Sequence, residues 1–211
     1  MSRVDQWTIA LLGESGIGKT ALAVTFALDT ECGASLSSHV WSGPVNLCPG
    51  MPEPDPPLRK QFIVDNRMCF VELLDSATGQ VAEPHQYQFI AEGDGFVLAY
   101  SITSRSSFDH VEAFHEAVKR VKGANAVLIL VGNKYDERSE REVSREDGAT
   151  LARQLGCEFI ETSAKTGQNV GRTFTGIVRA LRQTKAAESP PAPTPFPIPL
   201  KGKKRQKCII F

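Results

Sequence analysis

The octet Gly13-Glu14-Ser15-Gly16-Ile17-Gly18-Lys19-Thr20 constrains this 211-residue chain more than any other stretch. It fits the pattern G-x-x-x-x-G-K-[ST], with the apolar run Trp7–Leu12 before it and a helix-forming segment after it. A strand, a glycine-rich turn and a helix in that order aim backbone N–H groups and the positive end of a helix dipole at one spot. Residues 13–20 are therefore candidates to cradle phosphate, with Lys19 reaching the β- and γ-phosphates and the Thr20 hydroxyl ligating Mg²⁺. The bland rival is a glycine-rich turn that binds nothing. All four fixed residues, in the correct context, weigh against it.

The rest of the chain alternates short apolar runs with helix-period stretches. Trp7–Leu12, Cys69–Leu74, Phe96–Tyr100, Ala126–Val131 and Glu158–Thr162 read as strands buried on both faces. Phe108, Val111, Phe114, Val118 and Val121 recur at helical spacing, as do Val170, Phe174, Ile177, Val178 and Leu181. Ser144 and Asp147 have capping-box spacing at the head of another helix ending near Leu155. This alternation predicts an α/β domain with a mainly parallel sheet flanked by helices.

Two segments break the pattern. Residues 29–58 are rich in Gly, Ser and Pro, with five prolines from Pro49 to Pro57, which marks a long insertion rather than a tight connection. Near the end, six of the ten residues Pro190–Pro199 are proline, which favours an extended spacer. The expected organisation is a nucleotide-binding domain over 1–184 and a proline-rich, basic tail over 185–211.

Charge divides along the same line. The chain carries 24 Lys+Arg and 24 Asp+Glu, yet Lys201, Lys203, Lys204, Arg205 and Lys207 fall within seven positions. Without those five, residues 1–200 hold 19 bases against 24 acids, a net of −5. An acidic body excludes a uniformly basic nucleic-acid binder, while the tail asks for an acidic partner such as a membrane surface. No apolar run approaches the roughly 20 residues of a membrane span. Five scattered cysteines without a CxxC pair suggest a reducing, cytosolic setting.

Base preference follows from Asn133-Lys134-Tyr135-Asp136, directly after the strand ending at Val131. Open α/β sheets bind ligands beyond the carboxyl ends of their strands. A carboxylate at Asp136 accepts two hydrogen bonds from the N1–H and 2-amino edge of guanine, whereas adenine offers neither donor. Ser163-Ala164-Lys165, after the next strand, adds a second polar loop at the same end of the sheet.

Together with Arg59-Lys60-Gln61-Phe62, Tyr100-Ser101-Ile102-Thr103 and Glu161-Thr162-Ser163-Ala164-Lys165, these residues resemble the Ras family of small GTPases over roughly Trp7–Thr184. The resemblance implies the P-loop NTPase class, with a mostly parallel six-stranded sheet, helices on both faces and an extended disordered tail after it. In function it implies GTP/GDP binding with Mg²⁺, slow hydrolysis, and a monomeric switch served by an exchange factor, an activating protein and effectors. It implies that Asn133 and Asp136 hold the base, that Lys134 packs along the nucleotide and that the Ala164 amide faces guanine O6. It also implies that Asp75 joins Thr20 at the metal, with Lys19 and Gln80 as the catalytic pair.

Departures from the family pattern are concentrated in the two switch segments. Where the family has a metal-binding threonine this chain has Glu53, and Pro54, Pro56 and Pro57 remove backbone donors from the strand edge that effectors use. The preceding loop is longer than the family norm by roughly fifteen residues. The family's Asp-x-x-Gly-Gln appears as Asp75-Ser76-Ala77-Thr78-Gly79-Gln80, one residue longer. Either a bulge restores Gly79 and Gln80 to their roles, or Thr78 and Gly79 take the positions of glycine and glutamine and no side chain orients water. Ser15 replaces a glycine, a change that relatives tolerate, and His85 reads as a solvated loop residue rather than a base.

The last four residues, Cys208-Ile209-Ile210-Phe211, fit a prenylation signal whose terminal Phe favours geranylgeranyl. One lipid anchors weakly. Five basic residues at about 1 kcal/mol each near an anionic leaflet would add a second attraction. The expectation is a lipid-anchored signalling switch on the cytoplasmic face of the plasma membrane, with impaired hydrolysis. The rivals are a non-switching pseudo-GTPase scaffold and, opposed by Asn133–Asp136, a P-loop kinase or ATPase.

Overall fold

Strand β1 (Asp5–Leu12) is buried on both sides over its second half: Ile9 and Leu11 face one core cluster, Ala10 and Leu12 the other. That alternation explains an apolar run with no polar face, since side chains of period two are covered by helices above and below. The computed structural model describes residues 5–28, 58–75 and 84–188. After β1 come α1 (Lys19–Leu28), β2 (Leu58–Val64), β3 (Arg67–Asp75), α2 (Pro84–Glu92), β4 (Gly95–Ser101), α3 (Arg105–Asp109) and α4 (Val111–Lys122). The chain continues through β5 (Val127–Asn133), a 3₁₀ segment (Tyr135–Glu140), α5 (Arg145–Leu155), β6 (Glu158–Glu161) and α6 (Val170–Glu188).

The six strands lie in the order β2-β3-β1-β4-β5-β6, parallel except for β2. Five of them correspond to the apolar runs of the sequence. The sixth, β2, alternates partly covered and exposed residues along an edge, so it lacks an apolar run. It joins β3 through Asp65 and Asn66, both at positive φ (49° and 59°), a two-residue hairpin suited to the right-handed strand twist.

One face of the sheet packs on α1 and α6. There Phe26 stacks on Phe174 with centroids 3.9 Å apart, and Phe62 meets Phe26 edge-on at 5.2 Å. The other face packs on α2, α4 and α5 around Phe96, Tyr100, Phe114 and Leu151. Each fully buried aliphatic or aromatic side chain contributes about 1.5–3 kcal/mol, so these two layers dominate the stability.

One boundary differs from expectation. The helix predicted through Phe108–Val121 breaks at His110, which caps both α3 and α4, and Val121 is exposed. The last helix continues past Leu181, where its predicted apolar stripe ends, through Lys185, Ala186 and Ala187, which favour helix, to Glu188, the last described residue. The insertion expected over 29–58, its prolines and Glu53 lie outside the described residues except for Leu58, which opens β2. The tail from residue 189 onward, with Cys208, also lies outside them.

Candidate functional site

Strand order reverses at β1, which has β3 on one side and β4 on the other. Ligands of open α/β sheets bind at that crevice. The loop from Gly13 to Gly18 emerges there, and two of its glycines have no substitute. A Cβ on Gly13 (φ 147°) would overlap the Ala99 carbonyl oxygen, and one on Gly18 (φ 93°) would lie 2.6 Å from the Asn133 amide nitrogen. Glu14, Ser15 and Gly16 form the outer turn, and Ile17 is buried against the core.

Lys19 is only 5% exposed, and its Nζ donates to the carbonyls of Gly13 (2.9 Å) and Glu14 (2.7 Å). Burial pushes its pKa below the ordinary lysine value, while the Asp75 and Glu14 carboxylates pull it back up. The loop thus curls around its own ammonium, ready to exchange two carbonyls for a stronger anionic acceptor. Helix α1 has no acidic residue in its first turn, so nothing on the helix itself neutralises its positive end.

The Thr20 hydroxyl donates to Asp75 Oδ2 across 55 residues of sequence, pinning α1 to the end of β3. The other oxygen, Asp75 Oδ1, is buried with no protein partner. An unpartnered carboxylate oxygen beside a hydroxyl is a donor set for a hard divalent cation. Two such oxygens fit Mg²⁺, which takes one or two protein ligands and completes its octahedron from phosphate and water.

At the base end, Asn133 closes β5 and is 1% exposed. Its Nδ2 donates to the Ile17 carbonyl (2.8 Å), and its Oδ1 accepts from the Thr162 hydroxyl (3.1 Å) and the Ala164 amide (3.3 Å). One of its two amide hydrogens is therefore committed to the protein, and the Ala164 amide, expected to face guanine O6, lies within reach of Asn133 Oδ1. Lys134 sits in the left-handed region (φ 63°) and turns the chain into the 3₁₀ segment. The Asp136 carboxylate accepts from the Ser163 hydroxyl at 2.6 Å, with the largely exposed Lys165 3.8 Å away.

Contacts that the sequence reading did not anticipate complete the frame. The Thr25 hydroxyl of α1 donates to the Ala164 carbonyl (2.9 Å), and Thr162 pairs with Gly132 and Tyr135 through the backbone. A polar residue on the buried face of an apolar helix was the available signal for Thr25. His110, whose Nδ1 lies 2.6 Å from Glu14 Oε1, carries no local signal at all. Gly79, Gln80 and the side chain of His85 lie outside the described residues.

The arrangement defines a class: a P-loop domain with a glycine-rich loop, a hydroxyl–carboxylate pair beside it and two polar loops after β5 and β6. Comparison with known proteins gives the family. The Ras family model matches residues 56–183. A Ras-like protein 1 of Pyricularia oryzae is 36% identical over 209 residues, spanning 90% of this chain and 80% of its own. Protein ras-2 of Neurospora crassa is 36% identical over 236 residues, spanning 97% of this chain and 96% of its own. Ras-like protein B of Aspergillus fumigatus is 35% identical over 201 residues, spanning 84% and 78%. This chain belongs to the Ras family of small GTPases.

Proposed function

We propose that this protein is a guanine-nucleotide switch that binds GTP and GDP with Mg²⁺ and hydrolyses GTP weakly while anchored to the inner leaflet of the plasma membrane. The observation that carries the reading is the Asp136 carboxylate, its side chain 15% exposed and held by the Ser163 hydroxyl between the loops that follow β5 and β6. A fixed carboxylate rewards a base with two adjacent donors and leaves a charge unpaired against adenine.

Phosphate binding follows from the loop. Backbone amides of residues 14–20 would donate to phosphate, and Lys19, which now donates to the Gly13 and Glu14 carbonyls, would donate to phosphate oxygens instead. Thr20 and Asp75 would hold Mg²⁺, which neutralises charge on the β- and γ-phosphates. Gly79 approaches the γ-phosphate in this reading, and Gln80 orients the attacking water. The extra residue between Asp75 and Gly79 displaces them from the family's spacing, which is why hydrolysis is weak.

The test is nucleotide content after purification in Mg²⁺. Guanine nucleotide in near-stoichiometric amount is expected, and equal retention of ATP rejects the reading. For the tail, Cys208→Ser is expected to release the protein from membranes, and unchanged membrane association rejects the lipid anchor. Exchange factor, activating protein and effectors are the expected partners.

A second reading is favoured by Glu53 and the prolines around it: a prenylated scaffold that holds nucleotide without switching. Single-turnover GTP hydrolysis, with and without an activating protein, separates the two. A GTP-dependent change in loop protection together with measurable turnover eliminates the scaffold.

A further inference from the structure

Glu14 is held from two directions. Its backbone carbonyl accepts from Lys19, and its side-chain Oε1 lies 2.6 Å from Nδ1 of His110, at the junction of α3 and α4. The same Nδ1 lies 3.0 Å from the Ser106 carbonyl oxygen. An ionised carboxylate and a carbonyl only accept, so Nδ1 carries the hydrogen and donates to both. His110 is itself fixed by two helices. Its backbone N–H donates to the carbonyl of Ser106, the second residue of α3, and its carbonyl accepts from Ala113 and Phe114 in the first turn of α4. A rigid post thus grips the second residue of a loop that three glycines make costly to order.

We propose that His110 is a positioning residue for nucleotide binding, holding Glu14 so that the phosphate loop is ordered before phosphate arrives. The proposal rests on the guanine-nucleotide reading above. Ordering a loop in advance removes an entropy cost from binding and slows its relaxation during release. The grip links the site to the α3–α4 junction, a part of the molecule without a ligand role in that reading.

The experiment measures release of a fluorescent GDP from the full-length protein in Mg²⁺, for wild type, His110→Ala, His110→Asn, His110→Asp and Glu14→Ala. The asparagine amide nitrogen occupies the position of Nδ1 and donates as it does, whereas aspartate sets a second carboxylate against Glu14. Release from His110→Ala is expected to be roughly threefold to tenfold faster, the range of one charge-assisted, half-exposed hydrogen bond. His110→Asn is expected to release at close to the wild-type rate, and His110→Asp faster than His110→Ala. Adding His110→Ala to Glu14→Ala is expected to change nothing further. Unchanged release in His110→Ala, or equal acceleration in the alanine and asparagine variants, overturns the proposal. If His110→Ala does not fold, equal rates for His110→Asn and His110→Asp overturn it. A wild type that holds no guanine nucleotide overturns the underlying reading, and this one with it. A wild type that holds nucleotide beside indifferent variants overturns only the role of His110.

Discussion

The Asn133 amide nitrogen lies 2.8 Å from the Ile17 carbonyl oxygen, joining the end of β5 to the phosphate loop 116 residues earlier. Through Oδ1 the same side chain holds Thr162 and Ala164. Asn133→Ala would leave the Ile17 carbonyl, the Thr162 hydroxyl and the Ala164 amide buried and unpaired. At about 1–3 kcal/mol for each orphaned group, partly relieved by water, a destabilisation of about 3–5 kcal/mol is expected in urea unfolding without nucleotide. A loss under about 1 kcal/mol would show that the three loops are held by other contacts.

Base selectivity should follow the charge at Asp136. In Asp136→Asn the side chain presents an amide donor where guanine needs an acceptor. Affinity for GDP is expected to fall about a hundredfold, and a base with a carbonyl in place of the 2-amino group, as in xanthosine diphosphate, should gain. Competition binding with both nucleotides checks this. An unchanged guanine preference would remove Asp136 from the site.

Gly18→Ala should separate folding from binding. Its Cβ would meet the Asn133 amide 2.6 Å away at a backbone φ of 93°, so the loop must distort and the Asn133–Ile17 hydrogen bond with it. Nucleotide affinity is expected to fall by at least about tenfold, with the apolar layers on both faces intact. Isothermal titration beside far-ultraviolet circular dichroism distinguishes this outcome from global unfolding.

Tyr100 offers a stabilising change. Its hydroxyl is buried without a partner, in space that two glycines leave open: a Cβ on Gly148 would come within 2.5 Å of it, and one on Gly132 within 2.9 Å. Burial pushes the phenol pKa strongly upward, so the group stays neutral throughout the working pH range. Tyr100→Phe removes an unsatisfied polar atom and is expected to leave stability equal or up to about 1 kcal/mol higher by thermal melting. A loss of more than about 1 kcal/mol would reveal a bound water on that oxygen.

The Asp65–Arg179 pair supplies a pH test. Two guanidinium nitrogens converge on the carboxylate at 2.5–3.2 Å, and that hydrogen bonding, more than the charge alone, lowers the Asp65 pKa from its ordinary 3.8. A depressed carboxylate contributes stability that is fully present above its unfolded pKa. The contribution begins to fall below 3.8 and is lost as pH drops through the folded value. Melting temperatures of wild type and Asp65→Asn are expected to differ slightly at neutral pH, less at high salt, and to converge in acid. A difference that persists in acid would mean packing, not charge, is responsible.

Much of the fold is written in local spacing. The apolar runs at 7–12 and 126–131, the helical stripe ending at Leu181 and the Ser144 cap each depend on neighbours within a few residues, and each appears in the structure close to its expected bounds. Strand β2 was less legible. An edge strand needs no continuous apolar run, and its signal was the Asp65-Asn66 turn rather than its own composition.

The octet Gly13–Thr20 and the two polar loops after β5 and β6 follow from sequence alone, because phosphate and base recognition require particular side chains at short, fixed intervals. Which of those side chains face outward and which brace the protein was decided only by the tertiary structure. Asn133 turns its amide inward to Ile17, Thr25 reaches Ala164 across 139 residues, and His110 grips Glu14 from another helix. Such pairings depend on strand order and register. These bring distant hydrogen-bonding groups within 3 Å of each other, and no local pattern of residues records that distance.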